Sequence, residues 1–448
     1  MFDKFIEKYG LYLLNIIFSD YMGTQFFPSK FFANDIVNES ELFKIYNKSI
    51  QNSINNLYIH IPFCKTGCYY CHCFKYVGDQ YKDDYLKYID YLIKEIDYNY
   101  KLFGEKIKID SIFIGGGTPN IIGINNLEKL FKKIEEKFNL STVKQFNIDF
   151  SPYYLDENII NLCADYGINR CTLAIQSFDC DILNQNSRFN IKDFDYKTVI
   201  KYLQIKGIYV NVDLMIGIKG QTIESCIKDI NKCIEYGVDN ISLNYFIQSS
   251  NVTYILDDDK KNLIQKIKKY YNKNINNKYN KSFNFQEESY LKKNVNLIGI
   301  GNGAITHLYS NIITYNNMSL NDYYKGLDSG KILNINYKKL TKKDEAIKYI
   351  WFNLIYGINR IEFKEFFGDD IMIIFENEIN YLLKKQIIEI SNDSITPIVN
   401  NFKLYLNLTI FLLGYIDLKS KISFDKIKNL VNIKKFFLSN LEKIDEDY

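Results

Sequence analysis

From Leu57 to Phe246 the chain alternates short runs rich in Ile, Val, Phe and Tyr with longer helical stretches, and this alternation restricts the fold more than any other feature. The strand-like runs are Leu57–Ile61, Ser111–Ile114, Gln145–Phe150, Cys171–Gln176, Tyr209–Ile216 and Asn240–Phe246. Between them lie Asp83–Leu102, Asn126–Phe138, Asp156–Tyr166, Asp195–Lys206 and Thr222–Tyr236, all with helical patterning. Strands that each feed a helix read as repeated βα units with a parallel sheet. The expected fold class is α/β, as an open doubly wound sheet or a barrel-like one. Residues 1–56 show no period and are expected to form an N-terminal extension. From about Asp344 the pattern turns helical, with Leu382–Ile390 and Ile395-Thr396 as a helix and a small hairpin. The expected domains are therefore 1–56, 57–329 and a mainly helical 330–448.

Composition narrows the function classes. The 56 basic and 53 acidic side chains leave a formal charge of +3, which gives no polyelectrolyte reason to expect nucleic acid. The most apolar segments, Leu11–Phe18 and Leu404–Ile416, fall short of the roughly 20 residues a bilayer needs. Met1–Tyr9 carries Asp3 and Glu7 and lacks the basic flank of a signal peptide. A cytoplasmic protein without a membrane span is expected. Nine cysteines, an odd number in a long chain, do not suggest a disulfide framework.

Four of those cysteines fall between Cys64 and Cys73. Cys64, Cys68 and Cys71 are spaced C-x3-C-x2-C directly after a strand. A short loop with three thiolates suits three corners of a [4Fe–4S] cubane and leaves the fourth iron open. Structural zinc is the alternative, but it needs four ligands, and His72 or Cys73 would crowd the loop. Further on, Gly115-Gly116-Gly117-Thr118-Pro119 follows the second strand. It either brings backbone close to a ligand or simply turns. Asp149, Gln176, Arg188 and Asp213 sit at or beyond the C-terminal ends of strands, where parallel α/β folds bind ligands. Structural ion pairs are the other reading of the charged ones.

The loop resembles the signature of radical S-adenosylmethionine (SAM) enzymes. Its flanks, Tyr58-x-His60-Ile61-Pro62-Phe63-Cys64 and Cys71-x-Cys73, resemble the oxygen-independent coproporphyrinogen III oxidase family. The resemblance implies a partial (β/α)6 TIM-like barrel, a [4Fe–4S] cluster on Cys64, Cys68 and Cys71, and one or two SAM molecules. It implies that Gly116, Gly117 and Thr118 meet the SAM amino group and that Tyr58 and Tyr70 line SAM. Asp149 stands where relatives carry Glu, Gln176, Arg188 and Asp213 match the SAM-binding polar set, and Ile305 would pack on adenine. Cys73 and Tyr58 are the candidate catalytic residues, and His60 would sit beside the cluster and tune its potential. Lys219 replaces a family proline and Asn353 a frequent arginine.

Three functions follow from the resemblance. The first is oxidative decarboxylation of coproporphyrinogen III propionates to vinyl groups, with a flavodoxin- or ferredoxin-like electron donor and a monomeric enzyme. The second is radical methylation or haem ring opening by a family relative, with His307 as a haem ligand or merely an exposed residue. The third is a haem chaperone, a branch that lacks the Cys73 equivalent and tends to place His after the residue matching Ala304. Cys73 and Ile305 favour the first.

Overall fold

The computed structural model describes residues 39–398, apart from 51–52, 72, 104–106, 247–257, 275–293, 317–318 and 331–335. His72 and the apolar runs Leu11–Phe18 and Leu404–Ile416 lie outside the described residues. The chain divides into two compact units, one within residues 15–345 and one that includes the residues from Ala346 onward.

The strands of the first unit are β1 (Ile54–Ile61), β2 (Phe63–Cys64), β3 (Tyr76–Val77), β4 (Ser111–Gly116), β5 (Gln145–Phe150), β6 (Arg170–Gln176), β7 (Tyr209–Ile216), β8 (Asn240–Tyr245), β9 (Val295–Ile300), β10 (Ile305–Leu308), β11 (Ile312–Tyr315) and β12 (Asn336–Lys339). Ten of them form one sheet, ordered β12-β11-β10-β9-β1-β4-β5-β6-β7-β8. From β1 to β8 the neighbours are parallel and follow chain order. A doubly wound sheet needs a point where the order reverses. No reversal occurs here, so the winding is that of a partial barrel.

Residue alternation along these strands separates two faces. Leu57, Ile59, Ile61, Ile112, Ile114, Ile148, Leu173, Ile175, Val210, Val212 and Leu214 are fully buried in the main apolar core, with Leu92, Leu127, Leu130, Ile200, Leu203 and Ile230 from the helices. The intervening positions are polar yet buried: Asn56, His60, Ser111, Asn147, Arg170, Thr172, Asn211 and Asn240. Several of them pair with one another. Ser111 Oγ donates to Asn56 Oδ1 at 2.7 Å, Asn240 Nδ2 to Asn211 Oδ1 at 2.6 Å, and Arg170 Nη1 to Asn147 Oδ1 at 2.8 Å. Buried polar groups persist when paired in this way.

Two expected boundaries move. The helix Glu39–Ser49 places Leu42 and Tyr46 in the main core, and β1 already begins at Ile54, so residues 39–56 are part of the first unit rather than an extension. The expected boundary near residue 330 falls inside the same unit, because β12 pairs antiparallel with β11. The second unit holds helices Arg360–Phe367, Ile371–Ile374 and Glu376–Lys384 around buried Phe363, Phe367, Ile371, Phe375, Ile379 and Leu382. A three-stranded antiparallel sheet accompanies them, made of β13 (Ile358–Asn359), β14 (Ile388–Ile390) and β15 (Ser394–Pro397), the last two at the expected hairpin. Asn353 Nδ2 donates to the Tyr349 carbonyl at 2.9 Å.

Candidate cluster and SAM site

The cysteine loop is closed at its neck. β2 and β3 pair in parallel, Tyr76 N–H donates to the Pro62 carbonyl at 2.6 Å, and Gly78 N–H donates to the Cys64 carbonyl at 3.0 Å. Within the loop Cys71 N–H donates to the Cys68 carbonyl at 3.1 Å, and Lys75 Nζ donates to the Cys71 and Cys73 carbonyls. All four thiols are half-buried and free of disulfides. Cys64 Sγ lies 3.5 Å from Thr118 Oγ1, and burial pushes its thiol up to about 11. The Cys71 and Cys73 thiols hydrogen-bond each other, which holds Cys71 well below and Cys73 well above the usual thiol range.

The glycine-rich segment lies directly against this loop. Gly117 N–H donates to the Ile61 carbonyl and Thr118 N–H to the Phe63 carbonyl, both at 2.8 Å. A Cβ on Gly117 would stand 2.5 Å from Phe63 O, and one on Gly116, which has φ 112°, 2.5 Å from the His60 ring. The need for glycine at these two positions thus comes from close approach to β1 and the cysteine loop. With both amides engaged, what this segment offers a ligand is carbonyl oxygen and the Thr118 hydroxyl.

His60 is fully buried, and both ring nitrogens are engaged. Nε2 lies 3.1 Å from the Phe74 carbonyl and Nδ1 2.9 Å from the Tyr58 hydroxyl. A carbonyl only accepts, so Nε2 carries the proton. Burial pulls the imidazole down to about 4, so the ring is neutral and Nδ1 accepts from Tyr58. His60 is therefore a clamp on the loop's far end and makes no hydrogen bond to a cysteine, contrary to the expectation that it tunes a cluster. Tyr58 packs with Ala304 and Ile305, and stands edge-on to Phe113 at 5.5 Å.

Opposite, Cys68 and Cys71 pack on Tyr70, Ile182, Met215, Ile218 and Phe246. The Arg188 guanidinium is buried beside Cys68 and Tyr70. Its Nη2 donates to the Ala174 carbonyl at 2.6 Å, while its Nε is buried without a hydrogen bond. Gln176 Oε1, at the end of β6, is likewise buried and unpaired. Asn186 ties the surrounding loops together. Its carbonyl accepts from Tyr69 N–H, its Nδ2 donates to the Lys219 carbonyl, and its Oδ1 accepts from Lys219 N–H at 3.2 Å. A proline at 219 lacks that N–H, so the Lys219 departure adds a bond to the loop scaffold.

Below this level, Asp149 lies beside Gly115, where a Cβ would sit 3.2 Å from its Oδ2. Burial, with the Asp213 carboxylate nearby, pushes Asp149 up to about 7, opposed by the Arg170 cation. Arg170 also bonds Thr172 Oγ1 at 3.2 Å, and its Nε is buried and unpaired. The structure thus gathers Cys64, Cys68, Cys71, Cys73, Tyr70 and Arg188 around one loop, with Gly116, Gly117 and Thr118 beneath it. Asp149 and Asp213 lie in the lumen, and Tyr58 and Ile305 form a separate apolar cluster. Sequence reading passed over Arg170, although its alternation with Thr172 on a strand facing Asn147 and Asp149 marks it as inward-pointing. It also missed Glu95 and Asp229, carboxylates set within the apolar stripes of their helices. His307, expected as exposed or as a haem ligand, is buried with Nε2 3.0 Å from Glu345 Oε1.

The orphaned Arg188 Nε and Gln176 Oε1 beside a three-thiol loop fit a bound iron–sulfur cluster and an amino-acid-bearing ligand, one needing thiolates and the other buried donors and acceptors. Comparison with known proteins identifies the domain that carries this loop. The radical SAM superfamily model matches residues 58–233. Those residues form a radical SAM domain. The cofactors of this family are a [4Fe–4S] cluster and SAM. The heme chaperone HemW of Buchnera aphidicola subsp. Schizaphis graminum is 27% identical over 69% of this chain and 85% of its own length. The oxygen-independent coproporphyrinogen III oxidase of Salmonella typhimurium is 29% identical over 42% of this chain and 41% of its own length. In fold, the chain is similar to coproporphyrinogen III oxidase (HemN) from Escherichia coli, at TM-score 0.71 and 20% identity, over 86% of this chain and 95% of that one. Among the described residues no helix is long and apolar enough to cross a membrane.

Proposed function

We propose that the chain is a radical SAM enzyme whose substrate is an anionic tetrapyrrole, and that it converts coproporphyrinogen III propionates to vinyl groups. Cys64, Cys68 and Cys71 are the cluster ligands in this reading. When bound, the cluster and SAM together supply the 5′-deoxyadenosyl radical that takes a hydrogen atom. Thr118 donates a hydroxyl proton toward the Cys64 thiolate. Carbonyls of the Gly115–Thr118 segment accept from the SAM ammonium, Arg188 holds its carboxylate, and Gln176, Asp149 and Asp213 fix the remaining polar edge. Tyr58 and Ile305 form an apolar wall for adenine. The substrate loses one β-hydrogen, then CO2 and one electron to a one-electron acceptor, per propionate.

The observation that carries the decarboxylase reading is Cys73, whose thiol hydrogen-bonds Cys71 inside the candidate site. In this reading Cys73 gives or holds a hydrogen near the substrate. None of the three arginines is offered to propionates. Arg170 is buried, the half-buried Arg188 donates its Nη2 to the Ala174 carbonyl, and Arg360 pairs with Asp370 at 2.9 Å. Lysines then provide the counter-charge, as point charges without a bidentate fork. A second reading, haem binding without decarboxylation, has its support in the heme chaperone relative, which aligns over the larger share of the chain.

Mass spectrometry separates the two. Reconstituted protein with SAM, a strong reductant and coproporphyrinogen III should release 5′-deoxyadenosine and a product lacking CO2 and two hydrogens per converted propionate. If coproporphyrinogen III returns intact while haem binds stoichiometrically and unchanged, the chaperone reading stands. A methylated or ring-opened haem product instead identifies the radical methylation or ring-opening branch.

A further inference from the structure

Strand β6 ends irregularly. From Leu173 to Gln176 it advances three residues while β7, from Val212 to Leu214, advances two. Such a bulge bends the strand and re-aims its side chains. The Ala174 carbonyl within it accepts from Arg188 Nη2 at 2.6 Å. Gln176 then takes φ 72°, a left-handed conformation that side chains other than glycine adopt at a cost. Strained backbone of this kind persists where its surroundings hold it.

The holding group lies on another element. Ser177 Oγ donates to Asp229 Oδ2 at 2.7 Å and Phe178 N–H to Asp229 Oδ1 at 3.0 Å. The same Ser177 hydroxyl accepts from Asp179 N–H at 3.1 Å. Asp229 projects from the helix Ile223–Tyr236, where Cys226, Ile230 and Cys233 are its buried neighbours. That helix is fixed at both ends, by the reciprocal Thr222–Ser225 capping box and by Gly237 in the left-handed conformation. A carboxylate in an apolar stripe is costly unless hydrogen-bonded, and these two bonds go to the residues directly after Gln176. Burial pushes its carboxyl up to about 6, against the opposing effect of the same two bonds.

We propose that Asp229 is a positioning residue that clasps the Ser177–Phe178 turn and so fixes the strained Gln176 for SAM. The inference rests on the reading of Gln176 as a SAM contact. Asp229 touches neither SAM nor the cluster.

The test uses Asp229→Ala, Asp229→Asn, Ser177→Ala, Gln176→Ala and the Asp229→Ala/Gln176→Ala pair. Amide exchange is followed in the metal-free protein, and SAM dissociation constants and iron content in the reconstituted protein. Asp229→Ala should speed exchange at Phe178, raise the SAM Kd about ten-fold and leave iron content unchanged. Asp229→Asn, which keeps one acceptor, should recover part of that affinity. Ser177→Ala removes a single bond and should give a smaller loss, which keeps the test decisive should Asp229→Ala not fold. The paired variant should bind no more weakly than Gln176→Ala alone, since one residue acts through the other. Unchanged SAM affinity in Asp229→Ala or Ser177→Ala, alongside a weakened Gln176→Ala, overturns the positioning role and leaves the SAM reading standing. Wild-type affinity in Gln176→Ala overturns the SAM reading of that residue, and the inference with it.

Discussion

His60 Nε2 lies 3.1 Å from the carbonyl oxygen of Phe74, so strand β1 grips the far end of the cysteine loop through a neutral imidazole. The ring is buried and its pKa falls to about 4, against about 6.5 in an unfolded chain. Between these values the unfolded state binds the extra proton, so this residue's effect is to raise stability with pH. Acidification from 6.5 to 4 should cost the wild type roughly 3 kcal/mol through His60. His60→Phe keeps a ring but removes the hydrogen bonds to the Tyr58 hydroxyl and the Phe74 carbonyl. It should be destabilised by about 2 kcal/mol at pH 7. The gap between wild type and variant in urea denaturation should narrow as the pH falls to 5. A gap constant across that range would sink the neutral-clamp assignment.

Gly117 is the tightest backbone approach in the glycine segment, since a Cβ there meets Phe63 O at 2.5 Å and Phe63 N at 2.8 Å. Both are backbone atoms of the strand that leads into Cys64. Gly117→Ala must push the cysteine loop away or break the Gly117–Ile61 bond. It should lower iron uptake on reconstitution severalfold and destabilise the chain by about 2 kcal/mol. Gly167→Ala is the contrast. Gly167 has φ 75° but nothing within 4 Å of its Cβ position, so it should cost about 1 kcal/mol and leave iron uptake intact. Equal iron loss in both variants would show that strain, not proximity to the loop, is responsible.

Much of this arrangement was legible in the sequence, and the exceptions share a cause. The six parallel strands declared themselves because every second residue faces the helices and is apolar, as in Leu57, Ile59 and Ile61. Asn55 and Asn56 fell outside the strand expected from Leu57 because they carry no apolar alternation, whereas here Asn56 faces a polar lumen and accepts from Ser111. Arg170 was passed over for the same reason. β9 was hidden by Gly299, and β10 to β12 by their shortness. The cysteine spacing was legible because three thiols cannot be scattered within eight residues by packing needs alone. The clasps on the site were not, since Asp229 and Glu95 act through contacts far away in sequence.

Iron content should separate the four loop cysteines. Cys64→Ala, Cys68→Ala and Cys71→Ala should each abolish the cluster absorption after anaerobic reconstitution, because each removes a proposed thiolate ligand. Cys73→Ala should retain about four irons per chain. It should still cleave SAM, while losing activity on the tetrapyrrole. Loss of iron in Cys73→Ala would move Cys73 into the ligand set.

Arg170 and Asp149 make the last prediction, one of pH and ligand affinity together. Asp149 is pushed up to about 7, first by burial and then by Asp213, while the Arg170 cation opposes both. In the proposed site a SAM cation is bound by the carboxylate form of Asp149 and not by the carboxylic acid. Affinity for SAM should therefore be highest above pH 7 and should weaken as the pH falls through it, by up to about ten-fold per unit. Arg170→Gln removes the opposing cation and keeps a hydrogen-bond donor for Asn147 and Thr172. The Asp149 carboxyl should then rise further, so the midpoint of the affinity curve should move to higher pH. At pH 7 the variant should bind SAM more weakly than the wild type, and at pH 9 the two should converge. Equilibrium dialysis of reconstituted protein from pH 6 to 9 reads both. A curve lowered equally at every pH would mean that Arg170 supports SAM binding by packing alone. A curve identical to wild type would remove Asp149 from the SAM site.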